Sequence, residues 1–169
     1  IANPNNTDIY SMEYAAFVKN FDAHVKPAYM KYLFFIAGGT LAVENALKVA
    51  FDWKVRKNWK KGIKAEKGHQ IIHFRESFHG RSGYTLSLTN TDPVKVELFP
   101  KFKWPRIINP KLRFPVTDEV LKEVKRAEQQ AISEIKRALK ENKDDIAALV
   151  MEPIQSEGGD NHFRKEFLQ

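Results

Sequence analysis

Phe78-His79-Gly80-Arg81-Ser82-Gly83-Tyr84-Thr85 places an aromatic ring, an imidazole, a guanidinium and two glycines within six consecutive positions. Core packing does not call for that mixture. The stretch follows a short apolar run, Gln70 to Phe74, that reads as a strand. Two other segments have the same build. Gly38-Gly39-Thr40 follows the apolar run Tyr32-Leu33-Phe34-Phe35-Ile36. Glu152-Pro153-Ile154-Gln155 follows Ile146-Ala147-Ala148-Leu149-Val150-Met151. Three polar turns marked by glycine or proline, each after an apolar run, are how an α/β protein assembles a ligand site from strand ends.

Periodicity fills in the rest. Ser11 to Phe21 reads as a short helix. The five apolar residues from Tyr32 to Ile36 suit a strand buried on both faces, as in a parallel sheet. A helix starts near Thr40 or Leu41 and runs to about Asn58, with Val43, Ala46, Leu47, Ala50 and Trp53 at helical spacing. Glu76 to Gly83 is a turn, and Tyr84 to Thr89 opens another short helix. Asp92 to Pro115 holds five prolines among Phe99, Phe102, Trp104 and Phe114, and reads as a long ordered loop. Thr117 is an N-cap with Asp118 and Glu119 in the first turn. The helix it starts runs to about Asn142 along Val120, Val124, Ala127, Ala131, Ile135 and Ala138. Residues 146–151 form a third buried strand. Strands alternating with helices predict an α/β fold, a mostly parallel sheet covered by helices.

Composition narrows the function classes. The 169 residues suffice for one domain with a core, and 43% hydrophobic with 29% charged is ordinary for a soluble globular protein. No apolar run approaches the roughly 20 residues that span a bilayer, so no membrane partner is expected. The start, Ile1-Ala2-Asn3-Pro4-Asn5-Asn6, is polar and turn-like, unlike a secretory signal. It lacks an initiator methionine, as in a chain processed or cut from something longer. The absence of cysteine rules out disulfides and thiolate zinc sites and fits a cytoplasmic protein; no metal site is expected. The net charge is +7. Its densest cluster, Lys54, Arg56, Lys57, Lys60, Lys61, Lys64 and Lys67, sits at a helix end, where cations complement the macrodipole. Trp53 and Trp59 interleave it, which keeps single-strand binding open as an alternative. No nucleic-acid motif accompanies it, and no nucleic-acid partner is expected.

Each turn has a chemical reading and a bland one. At Gly38-Gly39-Thr40, backbone N–H groups at a helix start can approach an anion, and the Thr40 hydroxyl can add a donor. The bland reading is a tight turn that binds nothing. There is no Gly-Lys-Ser/Thr and no dinucleotide fingerprint. Phe78 can stack on a planar heteroaromatic ring, and Arg81 can clamp a carboxylate in a two-bond fork. Otherwise His79 is a satisfied histidine and Arg81 a surface arginine. Glu152 and Glu157 flank a turn at a strand end, where carboxylates often serve a site; otherwise Glu152 ends a strand in a salt bridge and Glu157 is solvated.

These three segments resemble the fold-type I, class III aminotransferases, which use pyridoxal 5'-phosphate. Leu41 to Lys54, Gly83 to Thr91, Phe99 to Arg106 and Gly159 to Arg164 look most like the L-lysine 6-aminotransferases. The resemblance implies that Gly39 and Thr40 hold the cofactor phosphate. Glu44 falls on an acidic position of that family. Phe78 would stack on the cofactor ring with His79 beside it, and Glu152 would lie next to it. Arg81 matches the arginine that holds the substrate α-carboxylate. Glu157 matches a gating glutamate that moves to admit L-lysine or 2-oxoglutarate. Ser156 departs from the glycine usual there.

The same resemblance places the Schiff-base lysine and the carboxylate on the pyridine nitrogen downstream of this sequence, so no catalytic lysine is assigned in it. Residues 1–169 then correspond to the first half of the cofactor-binding large domain, without the small domain, and alone are expected not to transaminate. The implied activity of the parent is transfer of the ε-amino group of L-lysine to 2-oxoglutarate, giving glutamate and 2-aminoadipate 6-semialdehyde, by a homodimer. Another ω-aminotransferase, acting on ornithine or 4-aminobutyrate, is the neighbouring alternative; a basic non-catalytic binding module is the distant one.

Overall fold

The structure, a computed structural model, describes residues 10–169. The expectation placed on Ile1 to Asn6 lies outside the described residues. Two units divide at Phe35 and Ile36. In the first, α1 spans Met12–His24. Ser11 caps it, its hydroxyl accepting the Tyr14 N–H at 3.1 Å. The rings of Phe17 and Phe21 gather on Phe35 with centroids 5.1 and 5.3 Å away.

The second unit carries the sheet. Its elements in chain order are α2 (Gly39–Lys60), β1 (Gln70–Phe74), α3 (Gly83–Leu88), β2 (Arg106–Ile107), α4 (Asp118–Glu141), β3 (Ile146–Leu149), β4 (Ile154–Gln155) and β5 (Asn161–His162). β1 lies between β2 and β3, parallel to both. His73 pairs with Arg106, and Ile72 with Leu149. Because side chains alternate along a strand, Ile71 packs with Leu47 and Phe51 of α2 and Leu88 of α3. Ile72 and Phe74 pack on the opposite face with Ala131 and Ala138 of α4 and Ile107 of β2. Removing each of these Leu, Ile and Phe side chains from water contributes about 1.5–3 kcal/mol, and each alanine methyl about 0.8 kcal/mol. The result is the expected helix–sheet–helix layering with a parallel core.

The helix starts follow from local chemistry. Thr117 accepts the Val120 N–H at 3.3 Å, and Asp118 and Glu119 occupy the first turn of α4. α2 opens on Gly38 and Gly39, with no side-chain cap and no acidic residue in its first turn. Its last turn carries Lys57 and Lys60, which complement the dipole as expected. Its buried face differs from the expected stripe. Glu44, Leu47, Phe51 and Asn58 point inward, while Ala46 and Trp53 face solvent, Trp53 beneath the Lys57 ammonium at 4.4 Å.

Three expectations need correction. Tyr32 to Ile36 is not a strand: it pairs with nothing among the described residues, and Tyr32 is 90% and Phe34 75% exposed. An apolar run seeks burial, but a strand exists only where a neighbour completes its ladder. Residues 146–151 are not buried on both faces. β3 ends at Leu149, which is 42% exposed, because β3 is the outer strand of the described sheet. Finally, the proline-rich segment is not all loop. It contains a 3-10 turn at Pro93–Lys95, capped by Asp92, and the two-residue strand β2. No described helix is long and apolar enough to cross a membrane, and no described cluster of His, Asp or Glu could hold a metal ion.

Candidate cofactor and substrate site

The turn after β1 is built by polar side chains that return from the end of α3. Asn90 accepts the Glu76 N–H at 2.7 Å and donates to the Phe74 carbonyl at 3.2 Å. Thr89 accepts the His79 N–H at 3.0 Å and donates to the Gly80 carbonyl at 2.6 Å. These bonds set the backbone from Glu76 to Gly80 and leave Phe78 half-buried, its ring stacked on no other aromatic among the described residues. His79 beside it is buried, and its Nε2 has no hydrogen-bond partner there. Burial pushes the His79 imidazole down to about 4, so it is neutral at pH 7.

Gly80 joins the first turn to the second. Its φ is +124°, and a Cβ there would stand 2.6 Å from Thr40 Oγ1 and 2.8 Å from Thr85 Oγ1. Thr40, in the first turn of α2, therefore lies directly against the turn that carries Phe78 and His79. Glu44 makes a second link one helical turn further along. Its buried carboxylate accepts the Ser82 hydroxyl and the Thr85 N–H, both at 2.9 Å. A carboxylate among the free N–H groups of a short helix satisfies donors that have no intrahelical acceptor. Glu44 thus positions α3 and lies behind the site.

The third turn closes on the second. Phe78 donates its backbone N–H to Glu152 Oε1 at 2.9 Å. Burial raises the Glu152 carboxyl above its ordinary range; the Phe78 N–H opposes this, and the nearby Glu157 charge adds to it. Glu157 is exposed and ion-paired with Lys95. Arg81 is exposed and lines a cavity of about 300 Å³ with Leu86, Lys95 and Phe99. The site residues expected from the sequence therefore fall into two linked groups. Thr40, beside Gly39 at the start of α2, meets the turn of Phe78 and His79 after β1, which Glu152 joins from beyond β3; Arg81 lines the neighbouring cavity, and Glu157 pairs with Lys95 of its lining.

Several residues hold the site in roles that the sequence did not assign to them. Glu76, in the left-handed region at φ 59°, accepts from Asn109 at 3.2 Å, from Asn161 at 2.8 Å and from Lys111. Burial would raise its carboxyl, but Lys111 and the two amides outweigh that and hold it below its ordinary value. Gln155 donates to the Arg75 carbonyl at 2.9 Å and accepts from Asn109 and Asn161. A Cβ on Gly158 would overlap the Glu76 carbonyl, so only glycine lets the β4–β5 hairpin dock there. This network fixes the segment that carries Glu152 and Glu157 to the end of β1. In sequence, Gln155 stood within the quoted Glu152–Gln155 turn and Asn161 within the Gly159–Arg164 stretch, but nothing local marked either as a member of the network around Glu76. Lys54 to Lys67 lies at the far end of α2 and takes no part.

The class III aminotransferase family profile matches residues 8–169. An L-lysine-epsilon aminotransferase of Mycobacterium tuberculosis is 51% identical over 165 residues, covering 98% of this chain and 36% of that protein. The solved structure of a lysine aminotransferase from M. tuberculosis superposes with a TM-score of 0.91 at 48% identity, over 98% of this chain and 37% of that one. A 4-aminobutyrate aminotransferase of Emericella nidulans is 32% identical over 176 residues, covering 94% of this chain and 35% of that protein. The chain thus spans little more than a third of the length of the relatives it matches. With the profile covering nearly the whole sequence and the three turns assembled as described, the chain belongs to the class III aminotransferases.

Proposed function

We propose that the protein containing this chain transfers the ε-amino group of L-lysine to 2-oxoglutarate. Class III aminotransferases work with pyridoxal 5'-phosphate, which when bound acts as an electron sink and carries the amino group between donor and acceptor. The residues present fit it. The start of α2 has neither a side-chain cap nor an acidic residue in its first turn, and nothing stands within 4 Å of a Cβ at Gly39. The N–H groups there and the Thr40 hydroxyl are free to hold the phosphate, and the helix dipole favours its charge. Phe78 offers a ring that pairs with no other aromatic among the described residues, to stack on the heteroaromatic plane. The neutral His79, with an unused nitrogen, lies beside it. Glu152 holds Phe78 in place through its backbone.

On the substrate side, Arg81 would take the α-carboxylate in a fork. Because lysine presents its ε-amino group at the reacting end, the α-carboxylate must be held at a distance, and Arg81 in the adjoining cavity supplies that hold. Glu157 would admit or exclude the second carboxylate of 2-oxoglutarate by moving. The working form we propose is a cytoplasmic homodimer. Exposed apolar side chains on this unit, such as Leu98 and Phe99, support the dimer, and a sequence without cysteine is compatible with that compartment. The domain boundary we propose is that residues 1–169 are part of the cofactor-binding large domain.

The observation that carries the reading is the meeting of three separate turns: Thr40 against Gly80, and the Phe78 N–H on Glu152. The greater identity to lysine than to 4-aminobutyrate enzymes favours lysine as donor. The test is glutamate formation from 2-oxoglutarate by the full-length protein, supplied in turn with L-lysine, ornithine and 4-aminobutyrate. Glutamate with L-lysine, accompanied by a product that cyclises, is expected. Glutamate only with ornithine or 4-aminobutyrate would replace the donor, and none with any of them would overturn the activity.

A further inference from the structure

The cavity of about 300 Å³ beside Arg81 is built from two elements. α3 supplies Leu86, and the segment that follows the 3-10 turn supplies Phe99, with Lys95 from the turn itself. The two elements are tied together. Ser87, buried in α3, accepts the Phe102 N–H through its hydroxyl at 2.9 Å. Lys101 donates to the Phe99 carbonyl at 2.8 Å and to the Val96 carbonyl. Asp92 accepts the Val94 N–H at 3.1 Å and so caps the turn. These bonds hold Leu86 and Phe99 on the lining of one cavity.

The lining divides by polarity. Arg81 and Lys95 are cations, and Leu86 and Phe99 are apolar. Lys95 is paired with Glu157, whereas no described carboxylate stands within 4.0 Å of Arg81. A carboxylate that enters therefore meets Arg81 as the unpaired cation. The carbon chain behind that carboxylate then lies against Leu86 and Phe99, because they form the apolar part of the lining.

We propose that Leu86 and Phe99 are specificity-determining residues: they cover the methylene chain of a carboxylate held by Arg81, so that the cavity selects straight-chain aliphatic acids by length. This rests on the reading of Arg81 as the carboxylate anchor and extends it to the chain. The charge contact is the same for every acid of a series, and only the number of methylenes on the wall changes. A methylene removed wholly from water raises affinity about fourfold. On a wall open to water on one side about half of that energy is realised, a factor of about two per methylene. L-Lysine carries one methylene more than ornithine, so such a wall favours it.

The test is ligand-observed NMR titration of propanoate, butanoate, pentanoate and hexanoate, unreactive acids that lack an amino group. They are titrated against the full-length cofactor-loaded protein and its Leu86→Ala, Phe99→Ala, Leu86→Met and Arg81→Gln variants. In the unaltered protein, affinity is expected to rise about eightfold from propanoate to hexanoate. The rise should fall below about threefold in Leu86→Ala and in Phe99→Ala and stay near eightfold in Leu86→Met, which keeps an apolar side chain. Each variant is compared with itself along the series, so a partly unfolded sample lowers every affinity without changing the rise. No rise in the unaltered protein overturns the inference, as do alanine variants that both keep more than half of it. If no acid binds, or if Arg81→Gln binds all of them as the unaltered protein does, the reading of Arg81 falls as well. If binding needs Arg81 and the rise ignores Leu86 and Phe99, only the wall falls.

Discussion

Gly80→Ala probes the contact on which the site depends. A residue with a Cβ at φ +124° occupies backbone space nearly reserved for glycine, at a cost on the order of 1–3 kcal/mol. The new methyl would also sit 2.6 Å from Thr40 Oγ1, 2.8 Å from Thr40 Cγ2 and 2.8 Å from Thr85 Oγ1. Ordinary contacts are about 3.5–4 Å, so these neighbours must retreat by nearly an ångström, which for overpacking costs roughly 1–3 kcal/mol more. The expected total is about 4 kcal/mol. With a urea dependence of roughly 2 kcal/mol per molar, that lowers the unfolding midpoint by about 2 M. Gly62→Ala is the internal control. Its φ is +78°, but nothing stands within 4 Å of its Cβ, so it should cost only the left-handed backbone term of about 1 kcal/mol. Pairing Gly80→Ala with Thr40→Ala should recover about 1 kcal/mol, because the Thr40 atoms in the way are gone. Displacing Thr40 should also weaken pyridoxal 5'-phosphate binding in the full-length protein. If Gly80→Ala proves no more destabilising than Gly62→Ala, Thr40 and Gly80 are not in contact, and the argument that the first two turns meet is refuted.

Glu44→Ala removes the acceptor from the buried Thr85 N–H and Ser82 hydroxyl, and should cost about 3 kcal/mol in urea unfolding. Glu44→Gln keeps one acceptor oxygen and should cost about half as much; equal, small losses for both would mean that the carboxylate does not hold α3. The pH dependence has a definite sign. Burial, joined for His73 by the Arg106 charge, lowers both imidazoles, His79 to about 4 and His73 to about 3. The unfolded chain takes up these protons first, near its ordinary value of about 6.5, so stability is full above that pH and falls as pH drops toward 4 and then 3. Each histidine contributes a slope of about 1.4 kcal/mol per pH unit in that window. Denaturant midpoints measured from pH 7.5 to 4.5 should fall below pH 6.5, and His79→Gln should remove about half the slope; a flat profile across that range would count against burial of the two rings.

The parts of the fold legible in sequence were those set by local chemistry. Thr117 with Asp118 and Glu119 marked the start of α4, and the spacing of Val124, Ala131 and Ala138 marked its buried face, because capping and helical period are properties of neighbouring residues. The five residues from Gln70 to Phe74 read correctly as a strand for the same reason. Tyr32 to Ile36 looked equally strand-like and is not one among the described residues, since apolarity states a need for cover but not who provides it. β2 could not be seen: Arg106 and Ile107 form a strand only because His73 and Phe74 lie beside them.

The sequence by itself determined the chemistry available at each turn: an open helix start at Gly39 and Thr40, a ring and a guanidinium at Phe78 and Arg81, and two carboxylates at Glu152 and Glu157. Their residue types and order carried that information, and they also carried the resemblance to the class III aminotransferases. Only the tertiary structure decided which of these groups meet. Thr40 lies against Gly80, Phe78 binds Glu152 across 74 residues, and Glu157 turns to Lys95. It also decided that Glu44 serves α3 and that Glu76, Gln155 and Asn161 fasten the hairpin. The physical reason is range. Caps, turns and periods act over three or four residues, whereas these contacts join segments brought together only when the parallel strands pair and the helices cover them.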